Sequence, residues 1–218
     1  ANLLDVTMED LHDMPQQLYD GKIKKLREKT QGQLIIKEYP TASAHSGHFK
    51  SLMNELALKK SFRPDVIFID YLNICASSRF KGGNISSYFY VKAIAEELRG
   101  LAVESNVPIF SATQTTRTGF VSTDIGLEDT SESFGLPATA DFMFALISNE
   151  ELEALGQMKV KQLKNRYNDP SVNRAFIVGV DRSKMRLYDV QQKVGDIVDA
   201  NQVDEKEDAY TKFSDFKL

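Results

Sequence analysis

Apolar positions change their spacing along the chain, and each change marks an element. Residues 33–39 (QLIIKEY) are a β-rich run that predicts a strand. Residues 48–60 place Phe49, Leu52, Met53, Leu56 and Ala57 at helical spacing, and 65–69 (DVIFI) form a continuous apolar run suited to a buried parallel strand. The unit then repeats: in 87–105, Val91, Ile94, Ala95, Leu98, Leu101 and Ala102 share one helical face, and 107–111 read as a second short buried strand. Such alternation predicts an α/β fold with right-handed crossovers and a parallel sheet whose ligands sit at the carboxyl ends of the strands. From about residue 141 the runs FMFALI, MKVKQLKNRY, AFIVGVD and KMRLYDV follow closely, with turn residues between the later ones, which predicts antiparallel hairpins at the sheet's edge. Upstream, residues 11–29 read as helical, with Thr7 a candidate cap and Pro15 a candidate restart.

Composition narrows the class without naming a function. The 218 residues, 42% hydrophobic and 27% charged, suit one soluble globular domain with a sizeable core. No apolar stretch approaches the roughly 18 residues of a membrane span. The single cysteine, Cys75, and the absence of a leader-like start fit a reducing, cytoplasmic setting. The chain opens on Ala1 within what reads as an ordered segment, so the true start is expected upstream. The net charge of −4 resides wholly in residues 196–218, where seven acids face three lysines. The body is neutral, so local basic loops remain compatible with a nucleic-acid partner. Residues 1–191 therefore read as the folded part and 192–218 as an acidic, mobile tail. Its Tyr210, Phe213 and Phe216 either dock on a basic, apolar partner surface or simply accompany a solvating segment.

Three positions offer chemistry. Asp70 ends the first apolar strand, where a carboxylate points into the crevice that binds phosphates and can hold Mg2+ directly or through water; the plainer reading is a cap on the following loop. Gln114 follows the second strand, where an amide can sense a terminal phosphate, although polar residues end many strands. Lys164 and Arg166 lie two apart in a predicted strand and so share a face, a geometry for clamping a neighbouring subunit's phosphates or for a solvated cationic surface. Two loops, 77–86 and 115–122, mix cations (Arg79, Lys81, Arg117) with aromatics (Phe80, Phe120) and glycine, as a phosphate-gripping, base-stacking surface would. The long stretch 115–133 without obvious structure points the same way. His45 and His48, with no cysteine nearby, fit a polar helix start better than a zinc site; Cys75 fits packing; Asp141 fits a local strand start. No segment matches G-x-x-x-x-G-K-[ST]: Gly21-Lys22 is followed by Ile23 and has Gln16 where the first glycine belongs.

Taken in order, residues 65–72, 90–104 (YVKAIAEELRGLAVE), 111–114, 136–144 (LPATADFMF) and 164–166 resemble the ATPase domain of DnaB-type hexameric replicative helicases, above all those of T-even-like phages. The resemblance runs over roughly residues 1–191. It implies a RecA-like P-loop NTPase core, mainly a parallel sheet with helices on both faces and antiparallel hairpins at the C-terminal edge, truncated at its N-terminus. It further implies ATP and Mg2+ as cofactors, with Asp70 as the acidic residue of the Mg2+ motif, Gln114 as the phosphate-sensing glutamine, and Lys164 with Arg166 as the trans-acting basic pair. The implied partners are single-stranded DNA in the channel of a homo-oligomeric ring, probed by the loops after Asp70 and Gln114, and a primase, polymerase or helicase loader. In the family the phosphate loop and the catalytic glutamate lie upstream of the segment matched here, so the isolated chain is expected to be inactive. The competing functions are a RecA-like recombinase or other non-unwinding ring ATPase, and a non-enzymatic assembly module.

Overall fold

The structure, a computed structural model, describes residues 1–80, 85–115, 126–127, 135–169 and 172–190. Its regular elements in chain order are α1 (Met8–Asp13), α2 (Gln16–Lys29), α3 (Ser46–Lys60), β1 (Ile67–Ile69), α4 (Ser87–Ser105), β2 (Ile109–Ser111), α5 (Gly135–Thr139), β3 (Phe142–Ile147), α6 (Glu150–Ala154), β4 (Gln157–Asn165), β5 (Ala175–Asp181) and β6 (Arg186–Asp189). The described residues fall into two compact units, one drawn from 37–143 with 163–169, the other from 1–36 with 144–162 and 172–190.

The first unit is organised by α4. Its apolar stripe buries Val91, Ile94, Ala95, Leu98 and Leu101, and these, Leu101 apart, form one core with Leu72, Cys75 and Leu136, against which Phe49, Ile69 and Tyr90 pack. Each fully buried aliphatic side chain of this kind contributes about 1.5–3 kcal/mol, so this stripe, rather than intrinsic helix propensity, holds the helix in place. Asn106 stops it: at φ 52 its amide turns back onto Ala102 and Val103, a left-handed cap that asparagine tolerates. Beside it, β1 and β2 pair in parallel, Ile67 opposite Ile109 and Ile69 opposite Ser111.

Two expectations are corrected here. β1 is not buried on both faces: the two-residue period that turns Ile69 to the core turns Phe68 away, and Phe68 is 72% exposed, stacked on Phe110 at 5.4 Å between ring centroids. Residues 33–39 join no sheet among the described residues. Leu34 and Ile36 stand exposed, because β-forming side chains make a strand only where a neighbouring ladder accepts them.

In the second unit Thr7 caps α1 in a reciprocal pair with Asp10, and Pro15 precedes α2. The later strands form a sheet of their own, in the order β3-β4-β5-β6, with β4-β5 and β5-β6 antiparallel. Gly179 on β5 lies opposite Tyr188, whose ring occupies the place a Cβ would take, at 2.3 Å, so a larger residue would expel the ring.

Candidate functional site

The pairing of β1 with β2 brings Asp70 and Gln114, 44 positions apart in the sequence, to the same carboxyl-terminal edge. The two departing loops are tied together. Ser111 Oγ donates to the Ile69 carbonyl (2.9 Å), the Leu72 amide to the Ala112 carbonyl (3.1 Å), Thr113 Oγ1 to Asn73 Oδ1 (2.8 Å), and Gln114 Nε2 to the Tyr71 hydroxyl (3.2 Å). Asp70 is exposed and its carboxylate accepts no hydrogen bond from the described residues, whereas a loop cap would accept a backbone N–H. Among the described residues, the arrangement leaves this oxygen pair without a donor, one residue from a tyrosine that orients the glutamine amide. An exposed carboxylate suits Mg2+, which commonly takes one or two protein oxygens and keeps waters and phosphate as its other ligands.

The loop after Asp70 is rooted on α4 by Glu97. Its carboxylate accepts from Ser46 Oγ (3.2 Å), Ser77 Oγ (2.6 Å), Ser78 Oγ (2.8 Å) and the amides of Ser78 (2.9 Å) and Arg79 (3.3 Å), while the Ser77 amide donates to the Tyr90 hydroxyl. Burial opposes the Glu97 charge, yet the hydrogen bonds from Ser77, Ser78 and Arg79 outweigh it and hold the carboxyl below the ordinary glutamate value. Glu97→Gln is expected to lower the stability of the chain by about 2 kcal/mol near neutral pH. With a depressed folded-state pKa, the advantage of glutamate is present above the unfolded-state value and lost as pH falls through the folded one, so the two urea midpoints should converge in acid. A midpoint difference indifferent to pH would show that the charge contributes nothing. Arg79 itself extends to Glu96 (2.5 Å) with half its side chain exposed.

The basic pair converges on α5 and the residues after it. Lys164 Nζ donates to the carbonyls of Pro137 and Ala138, and Arg166 Nη2 donates to the Ala138 carbonyl (2.8 Å) and Nη1 to Asp141 Oδ1 (3.3 Å). Both cations therefore meet at one helix end, where carbonyl oxygens concentrate negative potential. Burial, then the neighbouring Arg166, lowers the Lys164 pKa. Arg99 completes the cluster from α4, donating to Asp141 Oδ2 (2.5 Å) and to the Thr139 carbonyl (2.8 Å).

Of the residues singled out in the sequence, Lys81, Arg117, Phe120 and the tail after 190 lie outside the described residues, and Phe80 is half-buried. His45 caps α3 by accepting from the Gly47 amide, and Cys75 lies in the core, where burial pushes its thiol pKa up. Sequence reasoning missed Tyr71, Glu97 and Arg99, and read Asp141 as a purely local residue. The only signal for Asp141 was its place in the LPATAD block.

No protein-family model matches the chain. The chain is 42% identical, over an alignment of 220 positions that takes in 97% of its length, to a DnaB-like replicative helicase of Enterobacteria phage T4, and spans 46% of that relative. Two solved structures share its fold: the ATPase domain of G40P (TM-score 0.70, 15% identity, 87% of this chain and 68% of that one), and a DnaB-like replicative helicase described with its interactions with primase (TM-score 0.67, 16% identity, 87% and 46%). The chain is thus similar in sequence to a DnaB-like replicative helicase, of which it spans slightly under half the length, and it shares the α/β fold of the solved helicase structures.

Proposed function

We propose that the chain is part of an ATP-dependent, ring-forming replicative helicase that draws one DNA strand through its channel in the 5′ to 3′ direction. In this reading residues 1–191 are a partial RecA-like ATPase domain and 192–218 a partner-facing acidic tail for a primase, polymerase or loader. The observation that carries it is the convergence of Asp70 and Gln114 on adjacent parallel strand ends, in a chain with 42% identity to a replicative helicase. Asp70 would hold Mg2+, directly or through water; when bound, the ion neutralises charge on the triphosphate of ATP. Gln114, oriented by Tyr71, would accept or donate a hydrogen bond according to whether a terminal phosphate is present, and pass the difference to the loop that begins at Thr115. Lys164 and Arg166 would supply positive charge to the nucleotide of a neighbouring subunit, one such pair serving each site of a hexameric ring.

For DNA, Arg79, Lys81 and Arg117 would grip phosphates while Phe80 and Phe120 stack on bases. Arg79 would exchange Glu96 for phosphate at little cost, because ion pairs this exposed are worth only about 0–1 kcal/mol. No described helix is long and apolar enough to cross a membrane, and the proposed place of action is the cytoplasm of the host cell.

The test uses the longer protein that carries this segment, with measurement of DNA-stimulated ATP hydrolysis and of strand separation on a forked duplex. Both activities are expected. Stimulated hydrolysis without strand separation would favour the recombinase-like reading, and neither activity would favour an assembly module. Removing the charges of Arg79, Lys81 and Arg117 together is expected to reduce the salt slope of single-strand binding by roughly 2, at about 0.7 per phosphate contact. An unchanged slope would refute the loop assignment.

A further inference from the structure

We infer that Asp141, itself fixed by Arg99, is a positioning residue for the guanidinium of Arg166; the inference rests on the reading of Arg166 as a group that reaches a neighbouring subunit's nucleotide. Each Asp141 carboxylate oxygen holds one arginine: Oδ2 takes Arg99 at 2.5 Å and Oδ1 takes Arg166 at 3.3 Å. Arg99 is held in turn by the Thr139 carbonyl, so the aspartate has one rigid partner and one presented partner. Arg166 is anchored at both ends of its length, its amide donating to the Asp141 carbonyl (3.0 Å) and its Nη2 to the Ala138 carbonyl (2.8 Å).

Stability does not account for this cluster. The side chains of Arg99, Asp141 and Arg166 are 38%, 33% and 45% exposed, and pairs so exposed contribute little to folding. Orientation does account for it. A guanidinium has five N–H donors. The contacts to Asp141 and Ala138 occupy one on each terminal nitrogen, fix the plane of the group, and leave donors for an oxyanion arriving from solvent. A long, flexible side chain is thereby held in one geometry before its ligand arrives, which is where preorganisation acts on a rate.

The experiment measures steady-state ATP hydrolysis by the longer protein with DNA present, for Asp141→Asn, Asp141→Glu, Arg166→Ala and the double variant Asp141→Asn/Arg166→Ala. Asp141→Asn is expected to lower kcat roughly 10- to 100-fold with KM for ATP changed less than about threefold, because the group it orients acts in the transition state. Asp141→Glu should recover part of the loss by keeping the charge, and the double variant should be no slower than Arg166→Ala alone, since there is then nothing to position. A further fall in the double variant equal to that in the single one would overturn the inference, as would an Asp141→Asn enzyme with unchanged kcat beside a crippled Arg166→Ala. If Arg166→Ala is itself undiminished, the underlying reading of Arg166 fails and the inference fails with it, which separates the two cases.

Discussion

Arg166→Ala in the longer protein is expected to slow DNA-stimulated ATP hydrolysis by about 10³-fold or more, the usual consequence of losing an arginine that neutralises transition-state charge on a transferring phosphoryl group. The argument is electrostatic. The guanidinium is permanently charged, presents a rigid fork, and is held by Ala138 and Asp141 with nearly half its surface open. Mixing identifies the subunit it serves. If Arg166 acts across an interface, rings assembled from Arg166→Ala and Asp70→Ala subunits contain some sites with both residues intact, and the mixture should exceed the summed activities of its parents. Absence of complementation in verified mixed rings would return Arg166 to its own subunit, and undiminished hydrolysis by Arg166→Ala would remove it from catalysis.

Asp70→Ala is expected to be nearly as damaging, about 10²-fold or more in kcat. The mechanism differs and so does its signature. Because the exposed carboxylate is the group suited to Mg2+ at the edge of the parallel pair, Asp70→Asn should retain partial activity that rises with added Mg2+, shifting the half-maximal Mg2+ concentration upward. Arg166→Ala should show no such shift. An Asp70→Asn enzyme with ordinary Mg2+ dependence would place the metal elsewhere.

Much of this architecture can be read from local patterns. The stripe Val91, Ile94, Ala95, Leu98, Leu101 predicts α4, and the structure forms it over Ser87–Ser105. The run AFIVGVD predicts β5, which occupies Ala175–Asp181. Thr7 and Pro15 mark the starts of α1 and α2 because capping is a matter of a few neighbouring residues. What the sequence hides depends on distant partners. Residues 33–39 have strand-forming side chains but find no ladder among the described residues, and Phe68 sits in an apolar run while only one face of its strand is covered. Glu97 lies in an acidic stretch of α4 that resembles any solvated helix face until the fold brings Ser46, Ser77 and Ser78 to it. Asp141 meets Arg99 and Arg166 across separations of 42 and 25 residues, which no periodicity encodes. Asp70 and Gln114 were legible as strand ends; their adjacency requires the parallel register.

The positions of Glu96, Glu97 and Arg99 on α4 have a mechanical consequence. Glu96 and Glu97 grip the root of the loop that begins at Ser77, and Arg99 grips the aspartate that steadies Arg166. At 1.5 Å per residue these attachments lie within about 4.5 Å along the helix axis, less than one turn. A helix so short between its load points does not bend, so a tug on the loop and a push on the arginine reach the same rigid rod. A rotation of α4 would therefore carry the root of the Ser77 loop and the Asp141 carboxylate together, as one load on a helix seated in the core around Ile94.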